Sequence, residues 1–127
     1  MATKPDTAFF WSGRSSNAAG NKVGGAERTA EIARENKRTT LETLIEERKI
    51  EMPNWDPNNP AAIKQWEDIS AEYAAGVSGD VSAVIGNELR SGNIWMTKEL
   101  PALLKNQNVR KITTIDPATG VKTVIFP

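Results

Sequence analysis

Apolar residues fall along this chain in three textures, and each predicts a different kind of element. A short continuous run, Ala8-Phe9-Phe10-Trp11, is closed by Ser12-Gly13, which predicts a strand or extended entry ending at a turn with Trp11 at its rim. Helical spacing follows. Between Ala26 and Asn36, Ala30, Ile32 and Ala33 mark the apolar side of a helix that Asn36 can stop, and Gly20 to Gly25 ahead of it reads as loop. Thr40, with Glu42 early and Leu41, Leu44 and Ile45 at helical steps, predicts a second helix running towards Ile50. Met52-Pro53-Asn54-Trp55-Asp56-Pro57-Asn58-Asn59-Pro60 is dense in turn formers and must be a connection.

The firmest helix begins there, with Asn59 as cap and Pro60 in the first position. Ile63, Trp66, Ile69, Ser70 and Tyr73 recur at three- and four-residue steps, and Gly76 ends it. The third texture is branched and β-like. Val81, Val84 and Ile85 between Gly79 and Gly86 read as a buried strand, and Val109 to Asp116 and Val121 to Phe126 around Pro117-Ala118-Thr119-Gly120 read as a hairpin. The expected order is helices first and sheet last, in one domain covering 1–127, since 127 residues is the length of one ordinary domain.

Composition removes whole classes of function. Sixteen basic residues balance sixteen acidic ones and form no stripe, so the footprint of a general nucleic-acid binder is missing. No window reaches the eighteen or more apolar residues of a membrane span, and Met1 to Asp6 lack the charged and apolar regions of a secretion signal. Without Cys there is no disulfide or thiolate chemistry; without His, imidazole-based triads, the usual zinc sites and His-dependent ribonucleases are excluded. No acidic cluster is spaced like a metal cage, so no metal is expected. Carboxylate chemistry remains. Tryptophan rings suit a flat cationic ligand such as the nicotinamide of NAD, and a carboxylate suits the sugar beside it, which points to cleavage of a glycosidic bond.

Phe9-Phe10-Trp11-Ser12-Gly13, Thr40-Leu41-Glu42-Thr43-Leu44, the helix with Trp66 and Ser70 four apart, Gly79-Asp80-Val81 and Glu99-Leu100-Pro101-Ala102-Leu103 occur in the order seen in ADP-ribosyl cyclases. The chain resembles a minimal member of that family from about Phe9 to Ile115. The resemblance implies an α/β fold, with an amino-terminal helical part packed on a small carboxy-terminal sheet and the site in the cleft between them. It implies that Glu99 is the catalytic glutamate on the ribose hydroxyls. Trp11 and Trp66 would flank the nicotinamide, with Ser70 one turn beyond the second of them. Glu42 would be the acid near the carboxamide that biases cyclisation against hydrolysis, and Trp95 would stand where the family has a phenylalanine near the phosphates or adenine. NAD, or its 2′-phosphorylated form NADP, would be the substrate, with no cofactor.

Family members from eukaryotes are longer and disulfide-rich. A cysteine-free version resembles instead the carboxy-terminal effector domains of bacterial polymorphic toxins. That likeness implies export by the producing bacterium as part of a larger effector, action in the target-cell cytoplasm, and a cognate immunity protein that blocks the cleft. Each residue also has a plainer reading: Trp11 and Trp66 as core, Trp55 as a lid over the core, Glu42 as a first-turn acid, Glu99 as an exposed acid at a helix start, and Ser70 as a small residue on a packed face. Three functions are therefore expected to compete: an NAD glycohydrolase, an ADP-ribosyltransferase with a protein target, and a non-catalytic nucleotide-binding module.

Overall fold

The continuous apolar run at the amino end becomes strand β1 (Ala8–Ser12), and the texture of that run explains its position. A strand buried on both faces has no polar side to alternate with. In the computed structural model, which describes residues 3–56, 58–89 and 93–126, β1 lies inside a five-stranded sheet of order β4-β1-β5-β6-β7. Its neighbours are β4 (Thr39–Thr40) and β5 (Gly79–Ile85), followed by β6 (Val109–Ile115) and β7 (Lys122–Phe126). The first four strands run parallel and β7 is antiparallel to β6. Met1, Ala2 and Pro57, which enter the sequence readings above, lie outside the described residues.

The α/β reading holds, and one detail of order differs from expectation. The sheet draws its strands from both ends of the chain, because Phe9 and Phe10 need cover on both sides. Phe10 joins Ala8, Val81, Ala83 and Ile112 under the helical layer of α2 (Leu41–Glu47), α3 (Pro60–Gly76) and α4 (Leu100–Lys105), represented by Leu44, Ile69, Tyr73 and Leu103. Phe9, Val84 and Ile115 face the other way, against Ala33 of α1 (Gly25–Glu35).

Two boundaries also moved. The stretch expected to be loop contains β3 (Lys22–Gly24), which pairs with β2 (Arg14–Ser16) around a turn where the Asn17 side chain accepts from the amides of Ala19 and Asn21. Strands of three residues leave no periodic signal. The second helix stops at Glu47, short of Ile50, where Lys49 takes a left-handed conformation (φ 53°).

Helix α3 starts as its sequence predicts. The Asn59 carboxamide oxygen accepts from the amides of Ala61 and Ala62, satisfying donors that a helix start leaves open. Asn59→Ala is expected to destabilise the fold by about 0.5–2 kcal/mol. Urea denaturation should show a lower midpoint with an unchanged slope.

Candidate functional site

The chain leaves β1 for β4 on one side of the sheet and later returns to β5 on the other, so β1 stands where the strand order reverses. In open α/β sheets the crevice beyond the carboxyl ends of the strands at such a point is where ligands bind. A cleft of about 620 Å³ opens there. Ser12, Gly13 and Arg14 reach it from the end of β1, Leu41 and Glu42 from the end of β4, and Glu88 from beyond β5. Helix α3 adds Trp66, Ser70 and Tyr73, and a π-helical turn at Trp95–Glu99 adds its two terminal residues. All six residues singled out from the sequence, Trp11, Glu42, Trp66, Ser70, Trp95 and Glu99, line this one cleft.

Two of the tryptophans are held by their indole N–H groups. Trp11 Nε1 donates to Glu42 Oε1 at 2.8 Å, and Trp66 Nε1 donates to the Pro53 carbonyl at 2.9 Å, which ties the 51–59 connection to α3. Glu42 sits in the first turn of α2, whose start is capped by Thr40 Oγ1 accepting from the Thr43 amide at 3.2 Å. The plainer reading of Glu42 as a helix-start acid is therefore correct as far as it goes, and the same carboxylate orients Trp11. Trp66 is half-buried and packs on the core with one side while lining the cleft with another.

Glu99 departs most from its plain reading. Instead of an exposed acid at a helix start, it is 7% exposed, on the last residue of the π-helical turn. π-helical turns are rare and recur at functional sites. Burial, and then the charge of Glu42, push its carboxyl up to about 8. Burial also raises the Tyr73 phenol, with a smaller push from Glu42 and Glu99, and its hydroxyl lies 3.3 Å from the carbonyls of both Phe9 and Thr39. Ser70 is 4% exposed, one helical turn past Trp66. Trp95 is buried, its ring 5.8 Å from that of Phe10, which lies 4.8 Å from Tyr73. It forms part of the cleft floor.

Sequence reasoning missed several wall residues. Trp55, expected to be a lid over the core, is 41% exposed and lines the cleft. Its setting among turn formers carries no periodicity that could reveal this. Asn93 precedes the π-helical turn: its carboxamide oxygen accepts from Ser12 Oγ at 3.3 Å and from the Met96 amide at 2.9 Å, fixing that turn against the end of β1. Tyr73 was visible only as the next position on the Trp66–Ser70 face. Among the described residues no group of three or more acidic, His or Cys side chains could hold a metal ion, and no helix is long and apolar enough to cross a membrane.

The fold has a solved counterpart. A crystal structure of the cyclase from Aplysia, complexed with its substrate NGD and product cGDPR, superposes with a TM-score of 0.60 at 19% identity over 89% of this chain. The fold is thus ADP-ribosyl cyclase-like. This chain spans about half of that structure, 49% of its length. No family model matches the sequence, and no curated protein does.

Proposed function

We propose that the cleft binds NAD and cleaves its nicotinamide–ribose bond, giving nicotinamide and ADP-ribose with cyclic ADP-ribose as a side product. The observation that carries this reading is the buried carboxyl of Glu99 in one cleft with two tryptophans fixed by hydrogen bonds, Trp11 and Trp66. The Aplysia cyclase, whose fold this chain shares, takes the dinucleotide NGD as substrate.

Nicotinamide in NAD is already a cationic leaving group, so the bond needs no general acid. As it breaks, the bonding electron pair stays on the ring nitrogen, nicotinamide leaves neutral, and positive charge passes to the ribose. A carboxylate in a partly desolvated cleft stabilises that charge more than it would in water. Glu99 is assigned this role. Trp11 and Trp66 hold the cationic ring, each face contributing about 0.5–2 kcal/mol. Glu42 positions Trp11 and stands by the carboxamide, Ser70 orients the ribose, and Trp95 supports the floor. Water then adds at the anomeric carbon and loses a proton, giving ADP-ribose; attack by the adenine of the same molecule gives the cyclic product. The reaction draws on no cofactor beyond its substrate.

In the wider reading, the domain is an antibacterial toxin. It is exported within a larger effector, depletes NAD in the target-cell cytoplasm, and is neutralised in the producer by an immunity protein that covers the cleft. The deciding experiment incubates the purified domain with NAD and separates products by chromatography. Nicotinamide together with ADP-ribose or its cyclic form is the expected result. Unchanged NAD that is recovered bound would leave a binding module, and label from NAD appearing on protein only in the presence of target lysate would identify an ADP-ribosyltransferase.

A further inference from the structure

The wall of the cleft formed by the β2–β3 hairpin differs chemically from the Glu99 wall. Lys22 of β3 and Glu88, three residues beyond the end of β5, both line it and form an ion pair with each other. Arg14 lies beside them. Its amide donates to the Glu88 carbonyl at 3.4 Å, and the Glu88 amide donates to the Arg14 carbonyl at 2.9 Å. That approach requires the glycine before it: Gly13 has φ +66°, and a Cβ there would meet the Glu88 carbonyl oxygen at 2.5 Å. Exposed ion pairs add little to stability, and the Lys22 and Glu88 side chains are 56% and 47% exposed. The pair is therefore better understood by what it faces than by what it holds together.

We propose that Glu88 and Lys22 read the second ribose of the dinucleotide, with Glu88 selecting the free 2′-hydroxyl of NAD against the 2′-phosphate of NADP. This rests on the glycohydrolase reading above. With the nicotinamide end beside Glu99 and Glu42, which line the same cleft, the linear substrate next presents its diphosphate and then its adenosine ribose. Arg14 is a cation with no ion-pair partner among the described residues, and its guanidinium lies against Gly25, the first residue of α1. The diphosphate passes there. The sugar beyond it meets the ion pair. A carboxylate accepts hydrogen bonds from a ribose hydroxyl and repels a phosphate, the same discrimination that an acidic residue performs in dinucleotide folds. Lys22 offsets this repulsion only in part while Glu88 engages its ammonium.

The two partners have opposite predicted signs. Glu88→Gln removes the repulsion and frees Lys22 for the phosphate, so the NADP/NAD ratio of kcat/KM should rise by about tenfold or more, the scale of one charged contact. Lys22→Gln leaves an unpaired carboxylate, and the ratio should fall below that of the parent. Because each ratio compares two substrates on one protein, a fraction of misfolded sample cancels. A Glu88→Gln ratio within about threefold of the parent's, less than the smallest loss expected of such a contact, overturns the proposal. Calorimetry with ADP-ribose and its 2′-phosphorylated form reads the same selectivity without turnover. A parent that cleaves neither dinucleotide but binds ADP-ribose in preference, with the preference reversed by Glu88→Gln, would sink the glycohydrolase reading and retain this one; equal binding of both ligands by parent and variant would overturn it.

Discussion

Glu99→Gln is expected to lower NAD cleavage by about 10²–10³ while the protein remains folded, the loss typical when one group that stabilises transition-state charge is removed. Glutamine keeps the shape and the hydrogen-bonding capacity of the side chain and removes only its ionisation. The fold should gain from this at high pH. The carboxyl, ordinarily at 4.5, sits at about 8 in the folded state because it is buried and faces Glu42. Below about 4.5 it is neutral in both folded and unfolded chains and costs nothing. Between there and about 8 the unfolded chain releases the proton and the folded chain keeps it, so the parent loses stability as pH rises, by an amount on the order of a few kcal/mol, and the loss levels off above. The variant has no such slope. Thermal unfolding from pH 4.5 to 8.5 should therefore show the variant gaining on the parent with rising pH. Equal pH dependence in the two would mean that Glu99 ionises in the folded protein as freely as in water, and the electrostatic account of the site would fall with it.

The second large effect is on the pH dependence of cleavage. The reaction uses the ionised carboxyl, so kcat/KM for NAD, which reports the free enzyme, should climb about tenfold per pH unit from pH 6 and flatten near 8. Once the cationic nicotinamide is bound it stabilises the carboxylate, so kcat should level off at lower pH than kcat/KM. Glu42→Gln removes the like charge that contributes to the elevation, while its carboxamide oxygen can still accept from Trp11 Nε1, and should move the kcat/KM inflection downward. Stopped-assay initial rates across pH 5.5–9 for parent and variant are sufficient. An inflection that stays in place in Glu42→Gln would assign the elevation to burial alone.

Local pattern was enough to locate most of the elements. The unbroken Ala8–Trp11 run marked a strand, Asn59-Pro60 and Gly76 bounded α3, and branched residues around Pro117–Gly120 marked the β6–β7 hairpin, because caps, turns and apolar period are properties of neighbours in sequence. The set of residues facing one cleft was also legible as an ordered set of motifs, although each alone had an ordinary structural explanation. What the sequence could not hold was the consequence of distant contact. The place of β1 inside the sheet depends on pairing with strands that begin at Thr39 and Gly79. Trp11 meets Glu42 across 31 positions, Ser12 meets Asn93 across 81, and Lys22 meets Glu88 across 66. Sequence alone determined that Glu99 was a carboxyl near a proline-containing helix start; the tertiary structure decided that this carboxyl is buried opposite another and keeps its proton to about pH 8, since desolvation and charge repulsion depend on the atoms around a group and not on the residues beside it in the chain.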